Sequence, residues 1–289
     1  MQIQDPVPYV GKSIYSDMIS ESVSAESRAT ASRRYIEMII DLFLSKELKS
    51  SVGEEKFYRM SLGERIKGIK PTTSKEVIDT LYRIKDYGDK AAHFNPTIEI
   101  KEKDIEKISR DALGIFELIL IDYFKKTDFH KTYNTAVIFS TLFPQIRANV
   151  LSNLYNNVYI RKQKDREIFH KYIIALVKSN KSNKAKNILK KYKKKGTIDY
   201  VIYEMEMQSI KLISEGMNRD KLPIPKVIGD CKRNFEEVLS KISDEEKQEN
   251  KGLINIINTL LAQYDASEMG DLESNKIYYY SLDNFNNVL

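Results

Sequence analysis

Apolar positions in this chain recur three and four residues apart along most of its length, the period of an amphipathic helix. Ser24 opens the first long run, with Ala25, Arg28, Ala29, Ser32 and Ile36 at helical spacing. It continues through Ile39, Ile40, Leu42, Phe43 and Leu44 to about Leu48. The stretch 49–59, with Ser50-Ser51 and Gly53, predicts a loop. Ser61-Leu62-Gly63-Glu64 has the capping-box spacing, in which a hydroxyl and a carboxylate three residues on satisfy each other's free amides. A short helix should follow and end near Lys70-Pro71.

Thr73 or Ser74 is placed to cap the next helix, whose Val77, Leu81, Ile84, Gly88 and Ala91 share one face. Asn95-Pro96 should end it, because the residue before proline leaves the helical region. A strong helix is expected over 104–124, carrying Ile105, Ile108, Ala112, Ile115, Phe116, Ile119 and Leu120. These helices predict an antiparallel bundle over residues 23–127. Residues 1–22, with two prolines and several serines, predict an N-terminal arm, either ordered or a loose tail.

Beyond Thr127 the period stays helical, in pieces near 130–142, 146–158, 164–179, 182–194, 197–214, 226–242, 250–264 and 270–286. Short breaks separate them, such as Phe143-Pro144, Lys195-Gly196 and Leu222-Pro223-Ile224-Pro225. Strand alternation is nearly absent. The expected fold class is therefore all-α: an antiparallel bundle, then a helical-repeat or solenoid-like domain over 128–289. No fixed 34-residue period runs through it; only 262–282 has the flavour of one tetratricopeptide-like hairpin.

Charge changes this picture. Residues 1–130 hold 21 Lys+Arg against 22 Asp+Glu, residues 131–195 hold 16 against 2, and residues 196–289 hold 10 against 17. A net charge of +14 confined to 65 residues points to a polyanion partner or to an internal acidic contact. The run 178–195 holds nine lysines and no acid. On a helix, Lys184, Lys191 and Lys195 share one face, while Ala185, Ile188, Leu189 and Tyr192 form the other. Lys190 and Lys194 extend the run, and Arg161, Lys162, Lys164 and Arg166 form a second basic cluster within the basic segment 161–195. Phosphate backbones bind such patches by releasing counterions, without sequence being read. The competing reading is a solvated face, or one met by the acids Glu204, Glu206, Glu236, Glu237, Asp244, Glu245, Glu246 and Glu249.

Other chemistries find little support. With one cysteine, Cys231, a disulfide framework and a multi-cysteine zinc site are excluded. No metal site or cofactor is expected, and no phosphate-binding glycine loop is present. His130 and His170 suit structural roles, Cys231 suits a small core residue, and the Tyr278-Tyr279-Tyr280 run suits packing. No window is apolar for 18 residues, and the N-terminus has no secretory pattern, so no membrane contact and a cytoplasmic location are expected.

One stretch carries a family likeness. Ile84-Lys85-Asp86-Tyr87-Gly88-Asp89-Lys90-Ala91-Ala92-His93 resembles the Ile-Arg-x-x-Gly-Asn-x-Ala-Ala-His signature of a bacterial branch of the HEPN superfamily. Ala31-Ser32-Arg33-Arg34-Tyr35-Ile36-Glu37 is similar to that family's first helix, and Ser61-Leu62-Gly63-Glu64-Arg65-Ile66 to its short second one. Lys85 and Asp89 stand where the branch carries Arg and Asn. The resemblance implies a helical bundle that dimerises. It also implies a defence or toxin-like role on RNA, as a metal-independent endoribonuclease with an Arg-polar-x(3–5)-His motif. Under it His93 is the general base, Lys85 or Arg83 supplies the cation, and Asp89 orients the histidine. By its spacing, His93 belongs to a polar stripe with Tyr82, Asp86, Asp89 and Lys90, where capping the helix end is the plainer role. The non-enzymatic counterpart is an adaptor, with a dimerising bundle and a helical-repeat domain that binds a protein partner.

Overall fold

The structure, a computed structural model, describes residues 5–92, 100–155, 163–219, 222 and 224–265. The described residues are helical throughout, with turns between. In chain order the helices are α1 (Lys12–Ile19), α2 (Ala25–Ile39), α3 (Lys46–Val52), α4 (Glu54–Arg59), α5 (Leu62–Ile69), α6 (Lys75–Ala92) and α7 (Glu102–Lys126). They continue as α8 (Tyr133–Phe139), α9 (Pro144–Leu154), α10 (Gln163–Lys178), α11 (Ser182–Lys194), α12 (Tyr200–Asn218), α13 (Ile228–Lys241), α14 (Asp244–Glu249) and α15 (Lys251–Leu261). The fold is all-α, and a repeating solenoid register is not evident in it. Two compact units divide the chain: 5–131 with 247–264, and 132–246.

In the first unit α2 packs on α6 and α7, and α1 packs on α2. Tyr35, Ile36, Ile39, Ile66, Leu81, Ile84, Ile108 and Ile115 fill the space between them. Ser24 caps α2 by accepting from the Ser27 amide. The Ser61–Glu64 box is formed in both directions, with Ser61 N–H donating to Glu64 Oε2 at 2.7 Å and Glu64 N–H to Ser61 Oγ at 3.3 Å.

Two expectations change here, and one open choice is decided. From Asp5 on, the N-terminal residues are an ordered arm and not a loose tail. Met18 is fully buried, its carbonyl accepts from Arg28 Nε and Ser109 Oγ, and Tyr15 donates to Asp5. Residues 49–59 are no loop either. They complete α3 and form α4, joined at Gly53, whose φ of +85° suits a residue without a Cβ. Finally, α15 belongs to this unit and not to a separate C-terminal domain. Gly252 lies against the Tyr123 ring, and Tyr264 donates to the Val7 carbonyl at 2.6 Å. Of the tetratricopeptide-like segment 262–282 only 262–265 are described; the rest, with the Tyr278-Tyr279-Tyr280 run, lies outside the described residues.

In the second unit α9 packs on α10, and α10 and α11 both pack on α12. Ile146, Val150, Leu151, Phe169, Ile173 and Leu189 are buried. Asp199 caps α12 by accepting from the Ile202 amide at 2.8 Å. Asp230 reaches back to the amides of Lys226 and Val227 at the start of α13.

Candidate nucleic-acid interface

α11 is built to hold lysines outward. Its sequence alternates by turns, so Ala185 and Leu189 are fully buried and Ile188 and Tyr192 half-buried, as their spacing predicts. Tyr192 fixes the helix to α10, stacking on Phe169 with centroids 5.6 Å apart and sharing a hydrogen bond with Tyr155 at 3.0 Å. Lys184, Lys190, Lys191, Lys194 and Lys195 are all exposed.

None of these five is in an ion pair among the described residues. Four of the acids that follow them are engaged elsewhere. Glu206 is buried against His170 Nδ1 at 3.0 Å, Glu236 and Glu237 pair with Lys232 and Lys241 on their own helix, and Glu246 accepts from Asn134. No ion pair joins these five lysines to an acid among the described residues, and Glu204 lies at Tyr200, beside Lys193. Five like charges on a short helix repel one another, and an outside anion relieves that repulsion.

An aromatic edge adjoins them, which the lysine run alone does not reveal. The Lys193 ammonium sits 4.6 Å from the Tyr200 ring centroid and 4.1 Å from that of Tyr203. Tyr200 is 64% exposed, and its hydroxyl is pushed up by the charge of, and the hydrogen bond to, Glu204. Bases can stack on an exposed ring next to a cation. Of the second basic cluster, Arg166 reaches Met205 Sδ on α12 at 3.5 Å, and no contact ties it to the α11 lysines. Arg161 lies outside the described residues.

The front-bundle candidates separate. Lys85 and Asp89 meet on α6, with Lys85 Nζ 2.5 Å from Asp89 Oδ2. Arg33 of α2 joins them, its Nε 2.8 Å from Asp89 Oδ1 and its Nη1 3.1 Å from Glu37. Partial burial opposes ionisation of Asp89, but Lys85 and Arg33 outweigh it and hold the carboxyl below its ordinary value. Arg83 is not part of this group; it pairs with Asp111 of α7 at 2.9 Å. His93 lies outside the described residues. Two cations face three carboxylates here, Asp86 included, so the cluster as it stands is not electropositive.

No family model, curated protein or solved structure matches the chain. Among the described residues no three His, Cys, Asp or Glu side chains are grouped to hold a metal ion, and no helix is long and apolar enough to cross a membrane.

Proposed function

We propose that this protein binds nucleic acid through the lysine face of α11, gripping phosphates without reading sequence. The observation that carries this is the set of exposed lysines Lys184, Lys190, Lys191, Lys194 and Lys195, in no ion pair among the described residues, beside the Lys193–Tyr200–Tyr203 edge. The aromatic edge favours single strands, whose bases are free to stack. RNA is the class that the HEPN-like stretch implies, and a defence or toxin-like setting follows from the same resemblance. The cancelled charges around Asp89 support a scaffold role for the front bundle over a phosphate-cleaving one.

A second reading has an observation of its own. Val201, Met205 and Leu212 on α12 are 63%, 38% and 57% exposed, and they lie one and three turns apart along the helix. An apolar stripe of this kind suits a protein partner, as in the adaptor alternative.

The test is to incubate the full chain with end-labelled single-stranded RNA in the absence of metal, then to resolve bound and cut species. A shifted but intact strand supports the proposal. Cut ends that vanish in His93→Ala would move the chemistry to the front bundle. No shift at low salt would leave the adaptor reading.

A further inference from the structure

α9 and α10 hold a group of cations that the lysine face does not use. Arg147 of α9 is 9% exposed, and its Nε has no hydrogen-bond partner. Gln145, one residue before Ile146 on the same helix, buries an Oε1 that is likewise unpartnered. Lys171 and Lys178 are seven residues apart on α10, two turns along one face of the helix that packs on α9. Both are half-buried, and neither is in an ion pair among the described residues.

Both lysines feel the charge of Arg147. Burial, then the charge of Arg147, lowers the Lys171 ammonium from its usual value, against a smaller opposing pull from Glu167. Lys178 is pulled down to about 8 by burial, then by Arg147 and Lys171. Arg147 itself is pulled down to about 10 by burial. Among the described residues the Cys231 thiol also acts on it, and burial pushes that thiol up and keeps it neutral. Glu167 alone cannot balance three cations. An uncompensated buried charge is costly, and a buried arginine beside two half-buried lysines is most stable when an anion is supplied from outside.

We infer that Arg147, Lys171 and Lys178 form a seat for a phosphate group, distinct from the exposed lysines of α11. A guanidinium presents a fork to two phosphate oxygens, and lysines add point charge around a third. The phosphate is either free in solution or the terminal ester of a nucleotide, and both offer the same oxygens.

The experiment is thermal unfolding of the full chain with rising inorganic phosphate, with a nucleoside 5′-monophosphate, and with sodium chloride at matched ionic strength. Phosphate should raise Tm by at least about 2 °C over chloride, growing with concentration as mass action requires. A rise with inorganic phosphate supports a free anion; a rise with the nucleotide alone supports an ester. Arg147→Met should remove the rise. Should that variant fail to fold, Lys171→Met with Lys178→Met is to remove it instead. The α11 variant K184E/K190E/K191E/K194E should keep it, so failure of the seat and failure of the nucleic-acid reading are told apart. No rise above chloride in the native protein, or an equal rise in the seat variants, overturns the inference.

Discussion

Arg33 of α2 closes over Gly88 of α6, so that a Cβ placed on Gly88 would meet Arg33 Cγ at 3.1 Å and its Cβ closer still. The glycine lets the two helices approach, and the approach brings Arg33 Nε to Asp89. Gly88→Ala should therefore cost about 1–3 kcal/mol, the range for overpacking. Gly114→Ala on α7 meets nothing within 4 Å and should be stabilising by about 0.5–1 kcal/mol. Urea unfolding of both variants checks the contrast.

Asp89 should contribute to stability in a pH-dependent way. Its folded pKa lies below the unfolded value near 3.9, so its contribution is present above about pH 4. It is lost as pH falls through the folded value. Because the carboxylate is about a third exposed, solvent screening holds the worth of the pair near 1 kcal/mol at most. The Tm difference between native protein and Asp89→Asn should be constant above pH 5 and close as the pH drops below about 4.

Lys178 should behave with the opposite sign. Its folded pKa of about 8 lies below the unfolded value near 10.4, so the charged form is a cost, fully present below pH 8. That cost fades as pH rises toward 10.4, because the folded state sheds its proton first. Lys178→Met should raise stability at pH 7 by about 2 kcal/mol in phosphate-free buffer, and by much less at pH 10. Guanidinium unfolding at the two pH values measures both.

Much of the fold was legible because local patterns decide helices. The Ser61–Glu64 box, the buried Ala185–Leu189 face and the stripe Val77–Leu81–Ile84–Gly88 need only neighbours in sequence. Contacts across long separations were not legible. Residues 5–19 read as an arm because two prolines and a short apolar run hide that Met18 meets Arg28 and Ser109. α15 reads as a piece of a repeat, although Tyr123 is what it packs on.

The candidate site divides in the same way. The lysine run is visible to any count of charges. What the count omits is that Glu206 turns inward to His170 and away from the lysines, and that Lys193 meets Tyr200 and Tyr203. Arg33 joins Asp89 across 56 residues, which no spacing rule reports. Arg147 hides among Ile146, Ala148 and Val150, and a helix that buries most of its surface gives no sign of which polar residue it encloses.

Fluorescence anisotropy of a labelled single-stranded RNA, titrated with the full chain from low to physiological salt, tests the nucleic-acid reading most directly. Affinity should fall linearly on a log-log plot, with a slope of about −0.7 for each phosphate contacted. Replacing Lys184, Lys190, Lys191 and Lys194 by Glu should abolish binding without changing Tm by more than about 2 °C, since all four are exposed. Binding that ignores salt, or that survives the four replacements, would contradict the account.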